Sequence, residues 1–262
     1  MSNPNNLKLI PLRNNLRKNS KMITRQLIDA YVIRENGKAK LKKIDICIFC
    51  GTNQNLSKEH VIPRWIFEGN TTKTFVTNLN GIPQAYIKTT VPTCANCNND
   101  ILNSLEKQIS NLLTYDNVDK KKLSFEDISN IVRWFEIIDY KFQILNISRK
   151  FLTSKENGYI PYLADFPISM LRLNKDYTPA KVVAEIRVSQ KRLTIKNKDS
   201  QTNSLIIFKT SNPDFHFFHT MNEFIFVELP QRKIALFYFF TKQFETEAAA
   251  YKEAMKIIKL AY

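Results

Sequence analysis

Residues 47–50 read CIFC, residues 58–65 read KEHVIPRW and residues 94–98 read CANCN. These three stretches decide how the chain can fold. They use all four cysteines, Cys47, Cys50, Cys94 and Cys97, and one of only three histidines, His60. Two Cys-x-x-Cys pairs form two tight turns that can meet at one tetrahedral ion. Four thiolates leave that ion no open position for water, so the expected metal is a structural Zn2+. Paired cysteines without a secretory leader argue for metal over disulfides. The 43 residues between Cys50 and Cys94 exceed what a compact zinc ribbon needs. They have room for a β-hairpin, and any function should lie in that added content.

Inside the insertion, Glu59 precedes His60. A neutral imidazole, with a reference pKa near ~6.5, accepts a proton at physiological pH. Glu59 is a hard oxygen ligand. If residues 56–62 are extended, the two side chains point to opposite faces, and a bulge or a strand end would be needed to bring them together. Asn98 directly follows the last cysteine. Its carbonyl oxygen suits Mg2+, and a helix starting there favours a nearby phosphate.

Together these residues resemble the HNH, or ββα-metal, endonuclease motif in its four-cysteine zinc form, similar to phage endonuclease VII-type nucleases. The matching strings are CIFCG, EHVIPRW and CANCNNDILNSLE, over roughly residues 44–113. The resemblance implies that His60 is the general base and that Glu59 and Asn98 hold one catalytic Mg2+ or Mn2+. It implies hydrolysis of DNA phosphodiester bonds, giving a 5′-phosphate and a 3′-hydroxyl, in phage defence or a mobile element. The family's middle Asn has no clear match here. Asn78 and Asn80 are candidates, Asn99 rivals Asn98 as a ligand, and Glu106 lies two helical turns beyond Asn98. RNA is an alternative substrate. A zinc-stabilised nucleic-acid-binding module without catalysis is the rival reading.

The expected fold class is α+β. A zinc-bound ββα-metal (treble-clef-like) module over residues 44–117 follows a basic N-terminal arm, residues 1–43. A helix and an antiparallel-sheet region with a C-terminal helix, residues 118–262, come next, for substrate or partner recognition. Strands are expected at 56–62, 74–79 and 84–91, with Asn80-Gly81 as a turn. A helix should start at Asn98 to Asp100. A longer one should be capped by Ser124, with Ile128, Ile131, Val132, Phe135, Ile138, Phe142 and Leu145 on its apolar stripe. Further strands are expected at 181–188, 192–196, 205–209, 216–219, 223–229 and 233–240, with a turn at 230–232. Phe244, Ala248, Tyr251, Met255 and Ile258 should form the inner stripe of the last helix. Residues 1–20 look irregular, and 21–34 a short helix or strand.

The formal net charge is +15, from 39 Lys+Arg against 24 Asp+Glu. Residues 1–46 carry 11 Lys+Arg and three acids. That excess suits a polyanion such as nucleic acid. No apolar run approaches the ~18–20 residues that span a bilayer, and the N-terminus lacks the apolar stretch of a signal peptide. A cytoplasmic protein with no membrane partner is expected. The C-terminal region is free to serve a homo-oligomer or a regulatory partner.

Overall fold

The computed structural model describes residues 4–29, 33–35, 38–40, 44–67, 74–76, 83–85, 89–114, 123–150 and 179–261. Its elements are α1 (Pro4–Asp29), β1 (Ile33–Glu35), β2 (Lys38–Lys40), β3 (Leu56–His60), β4 (Thr74–Val76), β5 (Pro83–Ala85) and β6 (Thr90–Cys94). A wide helical segment (Asn96–Leu102) leads into α2 (Asn103–Leu112). Then come α3 (Phe125–Lys150), α4 (Pro179–Thr194), β7 (Leu205–Lys209), β8 (Phe217–Thr220), β9 (Phe224–Leu229), β10 (Ile234–Phe239) and α5 (Glu247–Ala261).

The fold is built around α3. Its start follows from sequence: Ser124 Oγ accepts from the Asp127 N–H at 3.1 Å, while Asp127 Oδ2 accepts from the Ser124 N–H at 3.2 Å. This reciprocal capping satisfies two donors that the helix leaves open. Ser124→Ala should cost about 1 kcal/mol, read as a shift in the urea unfolding midpoint. The stripe expected of α3 is buried at Ile131, Val132, Phe135, Ile138, Phe142 and Leu145. Burial extends well beyond it, to Trp134, Ile137, Tyr140 and Ile144. A helix apolar on every side is a central one. Four charged residues of its middle turns are buried too, each with a partner: Arg133 with the Ile195 and Lys196 carbonyls, Glu136 with Lys198, Asp139 with Arg192 and His219, Lys141 with Glu59.

The C-terminal sheet is antiparallel, in the order β7-β10-β9-β8. Four expected strands correspond to its members, and the turn at Pro230–Arg232 joins β9 to β10, with Lys233 at φ 53° completing the reversal. Both central strands are buried on two faces. Leu205, Ile225, Val227, Ile234, Leu236 and Tyr238 join the main core. Ile206, Phe226, Ala235, Phe237 and Phe239 form a second cluster with Ala250 and Ala254 of α5. Of the expected stripe, Phe244 and Ile258 pack against this cluster, while Ala250, Ala254 and Ile257 take the other inward places of α5. Tyr251 is 48% exposed, with its ring centroid 5.6 Å from that of Phe208 on β7.

Two expectations fail. Residues 181–188 and 192–196 are not strands: residues 179–194 form helix α4. Its buried positions, Ile186, Ser189, Gln190, Arg192 and Leu193, lie on one side of the helix, but three of the five are polar. Residues 4–20 are not irregular either: together with 21–29, where a short helix was one of the two expectations, they form α1, with Leu9, Leu12, Leu16, Ile23 and Leu27 buried. Thr24 Oγ1 of α1 donates to Gln190 Oε1 of α4 at 3.1 Å, so these helices are joined by a buried polar contact as well as by apolar packing.

The expected hairpin in the cysteine insertion is present as β4 paired antiparallel with β5, but residues 90–91, expected on its second strand, belong to β6 and pair with β3. Its turn at Asn80-Gly81, like Asn78, lies outside the described residues. No helix among the described residues is long and apolar enough to cross a membrane.

Candidate metal centre and adjoining site

The first cysteine pair sits in a turn that needs glycine. Gly51 has φ +79°, and its N–H donates to the Cys47 carbonyl at 2.8 Å. Two helices hold this turn. Asn19 Nδ2 of α1 donates to the Cys50 carbonyl at 2.9 Å, and the buried Tyr140 hydroxyl of α3 donates to the Ile48 carbonyl at 2.8 Å. The Gly51 Cα also lies under Met22, whose Cε would be 2.2 Å from an added Cβ. The methionine tip can move, so backbone strain sets the cost of a side chain there. Gly51→Ala should destabilise the protein by about 1–2 kcal/mol, visible as a lower thermal midpoint.

The second pair comes from the end of β6 and the helical segment after it. β3 and β6 pair in register from Leu56↔Cys94 to His60↔Thr90. This ladder brings Cys94 back over the first turn. The four sulphurs lie within 4.8 Å of one another, with Cys50 Sγ 3.6 Å from Cys94 Sγ. A tetrahedral zinc with bonds of ~2.3 Å sets its sulphurs roughly 3.8 Å apart, so the cluster fits that ion. Three of the cysteines are buried and Cys50 is partly so. The electrostatics agree. A hydrogen bond from Cys97 holds the Cys47 thiol down at about 5, against the effect of burial. The same bond pushes Cys97 up, and burial pushes Cys50 up to about 12. Crowding of the sulphurs opposes negative charge on neighbouring thiols, and a bound cation would offset that repulsion.

Glu59 and His60 end β3 without a bulge, so they alternate across the strand. Glu59 is 8% exposed and faces α3. Its Oε1 accepts from Lys141 Nζ at 2.5 Å, and the same ammonium donates to the His60 carbonyl at 3.1 Å. Glu106 Oε1 is 3.6 Å from Lys141 Nζ. Burial pushes the Glu106 carboxyl up to about 7, with Lys141 opposing. His60 is half-buried. Burial, then the neighbouring Arg64, lowers its pKa below the ordinary histidine value, which keeps the imidazole neutral near pH 7.

Asn98 is the third residue of the wide helical turn that starts at Asn96, two residues earlier than expected. Its carbonyl takes the long bond from the Asn103 N–H. Its Nδ2 donates to Ser57 Oγ at 3.2 Å. Ser57 and Glu59 lie two apart on β3, so Asn98 borders the strand face that carries Glu59. That bond uses the amide nitrogen and leaves Asn98 Oδ1 as an oxygen donor. Asn99 instead lines a cleft of about 570 Å3 with Pro11, Asp100 and Lys107, which separates the two rival asparagines. An amide oxygen and a carboxylate are each oxygen ligands of the type that Mg2+ takes. Lys141 competes for that carboxylate.

The rest of the motif packs. Trp65 stacks on Trp134 at 5.5 Å, and the Arg232 guanidinium covers it at 4.7 Å. Arg232 also donates to the Ser110 and Leu113 carbonyls at the end of α2. The β9–β10 turn thereby clamps the helix that follows the cysteines. The remaining histidines do not act as a pair: His219 Nε2 meets Asp139 Oδ1 and His216 Nδ1 meets Glu228 Oε2, each at 2.8 Å.

Sequence reasoning missed Lys141. Its signal is indirect: an all-round apolar helix must pair any charge it carries, so a lysine there points to buried acids elsewhere.

No protein-family model matches the chain, and neither curated proteins nor solved structures give a significant match.

Proposed function

We propose that the protein is a zinc-stabilised, metal-dependent endonuclease of the HNH type that hydrolyses DNA phosphodiester bonds. The observation that supports this most is the meeting of four sulphurs at the foot of the β3–β6 ladder. The Glu59–His60 dipeptide ends one strand of that ladder, and Asn98 follows the last sulphur. In this reading Cys47, Cys50, Cys94 and Cys97 hold zinc and take no part in chemistry. His60, neutral near pH 7, takes a proton from a water whose oxygen attacks phosphorus, and the bond from phosphorus to the 3′ oxygen breaks as that oxygen takes a proton from solvent water. The exposed Arg64 is available to a neighbouring phosphate. Mg2+ or Mn2+ held by Glu59 and Asn98 would supply charge stabilisation to the phosphate and the leaving oxygen.

A second reading is favoured by two observations: the Lys141–Glu59 pair, and the regular β3 ladder that sends Glu59 and His60 to opposite faces instead of bringing them together. A carboxylate already matched by an ammonium is a weaker ion ligand, which suits a nucleic-acid-binding module that does not cut.

The test is cleavage of supercoiled plasmid with and without added Mn2+ or Mg2+, followed by end analysis. The nuclease reading expects cutting only with the added ion, leaving 5′-phosphate and 3′-hydroxyl ends. It also expects a rate that falls as pH drops below the ordinary histidine range near ~6.5, because protonated His60 cannot act as a base. DNA binding without cutting under any of these ions supports the binding module. RNA cleaved in preference to DNA would reassign the substrate.

A further inference from the structure

Lys141 projects from the middle of α3 with none of its side chain exposed. Its ammonium meets three oxygens: Glu59 Oε1 at 2.5 Å, the His60 carbonyl at 3.1 Å and Glu106 Oε1 at 3.6 Å. Two of the three belong to the dipeptide at the centre of the nuclease reading. A buried cation is costly unless its donors are matched, so this arrangement fixes where Glu59 and the end of β3 lie. We propose that Lys141 is a positioning residue that sets how tightly the Glu59–Asn98 site takes a divalent cation, with Glu106 acting against it.

The effect of Lys141 is electrostatic and rests on the nuclease reading above. An ammonium at hydrogen-bond distance neutralises much of the carboxylate that a cation would need. Removing it strengthens Glu59 as a ligand. Glu106 draws on the same ammonium from α2. Removing the Glu106 charge leaves Lys141 more fully on Glu59 and weakens the site. Two substitutions on different helices, neither at a proposed ligand, should therefore move ion affinity in opposite directions. A lysine that only supports the fold would change the melting temperature of the protein and leave its ion affinity where it was.

The experiment is calorimetric titration of Mn2+ into the zinc-loaded protein as wild type, Lys141→Met and Glu106→Gln, run above the value of about 7 to which burial pushes the Glu106 carboxyl, so that it carries its charge, with Mn2+ dependence of plasmid cleavage measured alongside. Lys141→Met is expected to bind Mn2+ on the order of tenfold more tightly, and Glu106→Gln several-fold more weakly. Half-saturating Mn2+ for cleavage should move with the binding constants. If Lys141→Met does not fold, Glu106→Gln decides alone: weaker binding supports the proposal and unchanged binding overturns it. Equal Mn2+ affinity in all three proteins, with the wild type binding and cutting, overturns the role of Lys141 and leaves the nuclease reading standing. A wild type that neither binds Mn2+ nor cuts DNA defeats both.

Discussion

Replacing Cys97 with serine is expected to abolish stoichiometric zinc and to unfold the region between α1 and α3. Cys97 is fully buried, and its sulphur shares a hydrogen bond with Cys47 inside the four-sulphur cluster. Serine offers a harder, poorly ionised oxygen where zinc favours thiolate. Structural zinc in small peptides contributes ~10–16 kcal/mol of apparent binding energy near pH 7. Whole domains are stable by only ~5–15 kcal/mol, so losing the ion is expected to exceed what the surrounding packing can offset. The damage should spread, because α1 and α3 are bonded to the first cysteine turn through Asn19 and Tyr140. Elemental analysis and a thermal scan read both effects. One zinc per chain in wild type, none in Cys97→Ser and loss of a cooperative transition are the expected results. An unchanged melting temperature in the variant would remove zinc from the account of the fold.

The second large effect lies far from the cysteines in sequence. Asp139 on α3 is fully buried and gathers Arg192 of α4, His219 of β8 and the Asn222 N–H before β9. Burial pushes its carboxyl up, but Arg192, His219 and Asn222 together hold it below the ordinary aspartate range. Asp139→Asn leaves the Arg192 guanidinium buried without its counter-charge, beside the Phe240 ring at 4.7 Å. Breaking one side of such a pair costs about 3–5 kcal/mol, measurable by urea denaturation. The pH dependence has a definite sign. A carboxyl lowered in the folded state contributes stability that is present above its unfolded value near ~3.9 and lost as pH falls through its folded value. Wild type should therefore lose stability through that acid window more steeply than Asp139→Asn.

This network also explains what was hard to read in the chain. Helix α4 looked like strand because its β-branched residues alternate with charged ones. Its inward face is completed by Ser189, Gln190 and Arg192, which are buried through hydrogen bonds to Gln143, Tyr140 and Asp139. Hydrophobic periodicity cannot register a face built from polar residues. Helix α1 was different: Leu9, Leu12, Leu16, Ile23 and Leu27 stand at helical spacing, but Pro11 and the surrounding asparagines pointed to irregular chain. The sheet was legible because β9 and β10 are apolar runs divided by Pro230-Gln231-Arg232. The cysteine cluster was legible because thiolate spacing in a tight turn is dictated by the ion it serves. Glu59 and His60 could be located on β3, and their alternation across it was foreseeable. That Glu59 meets a lysine 82 residues onward was not, since no local pattern encodes that meeting.

The most direct measurement for the nuclease reading is the rate of plasmid cleavage in Mn2+ by wild type and by His60→Ala, with zinc content and melting temperature matched. His60 as general base predicts a fall of about 10²-fold or more in the variant with zinc retained. Wild type that cuts no faster than an equally folded His60→Ala would contradict the reading.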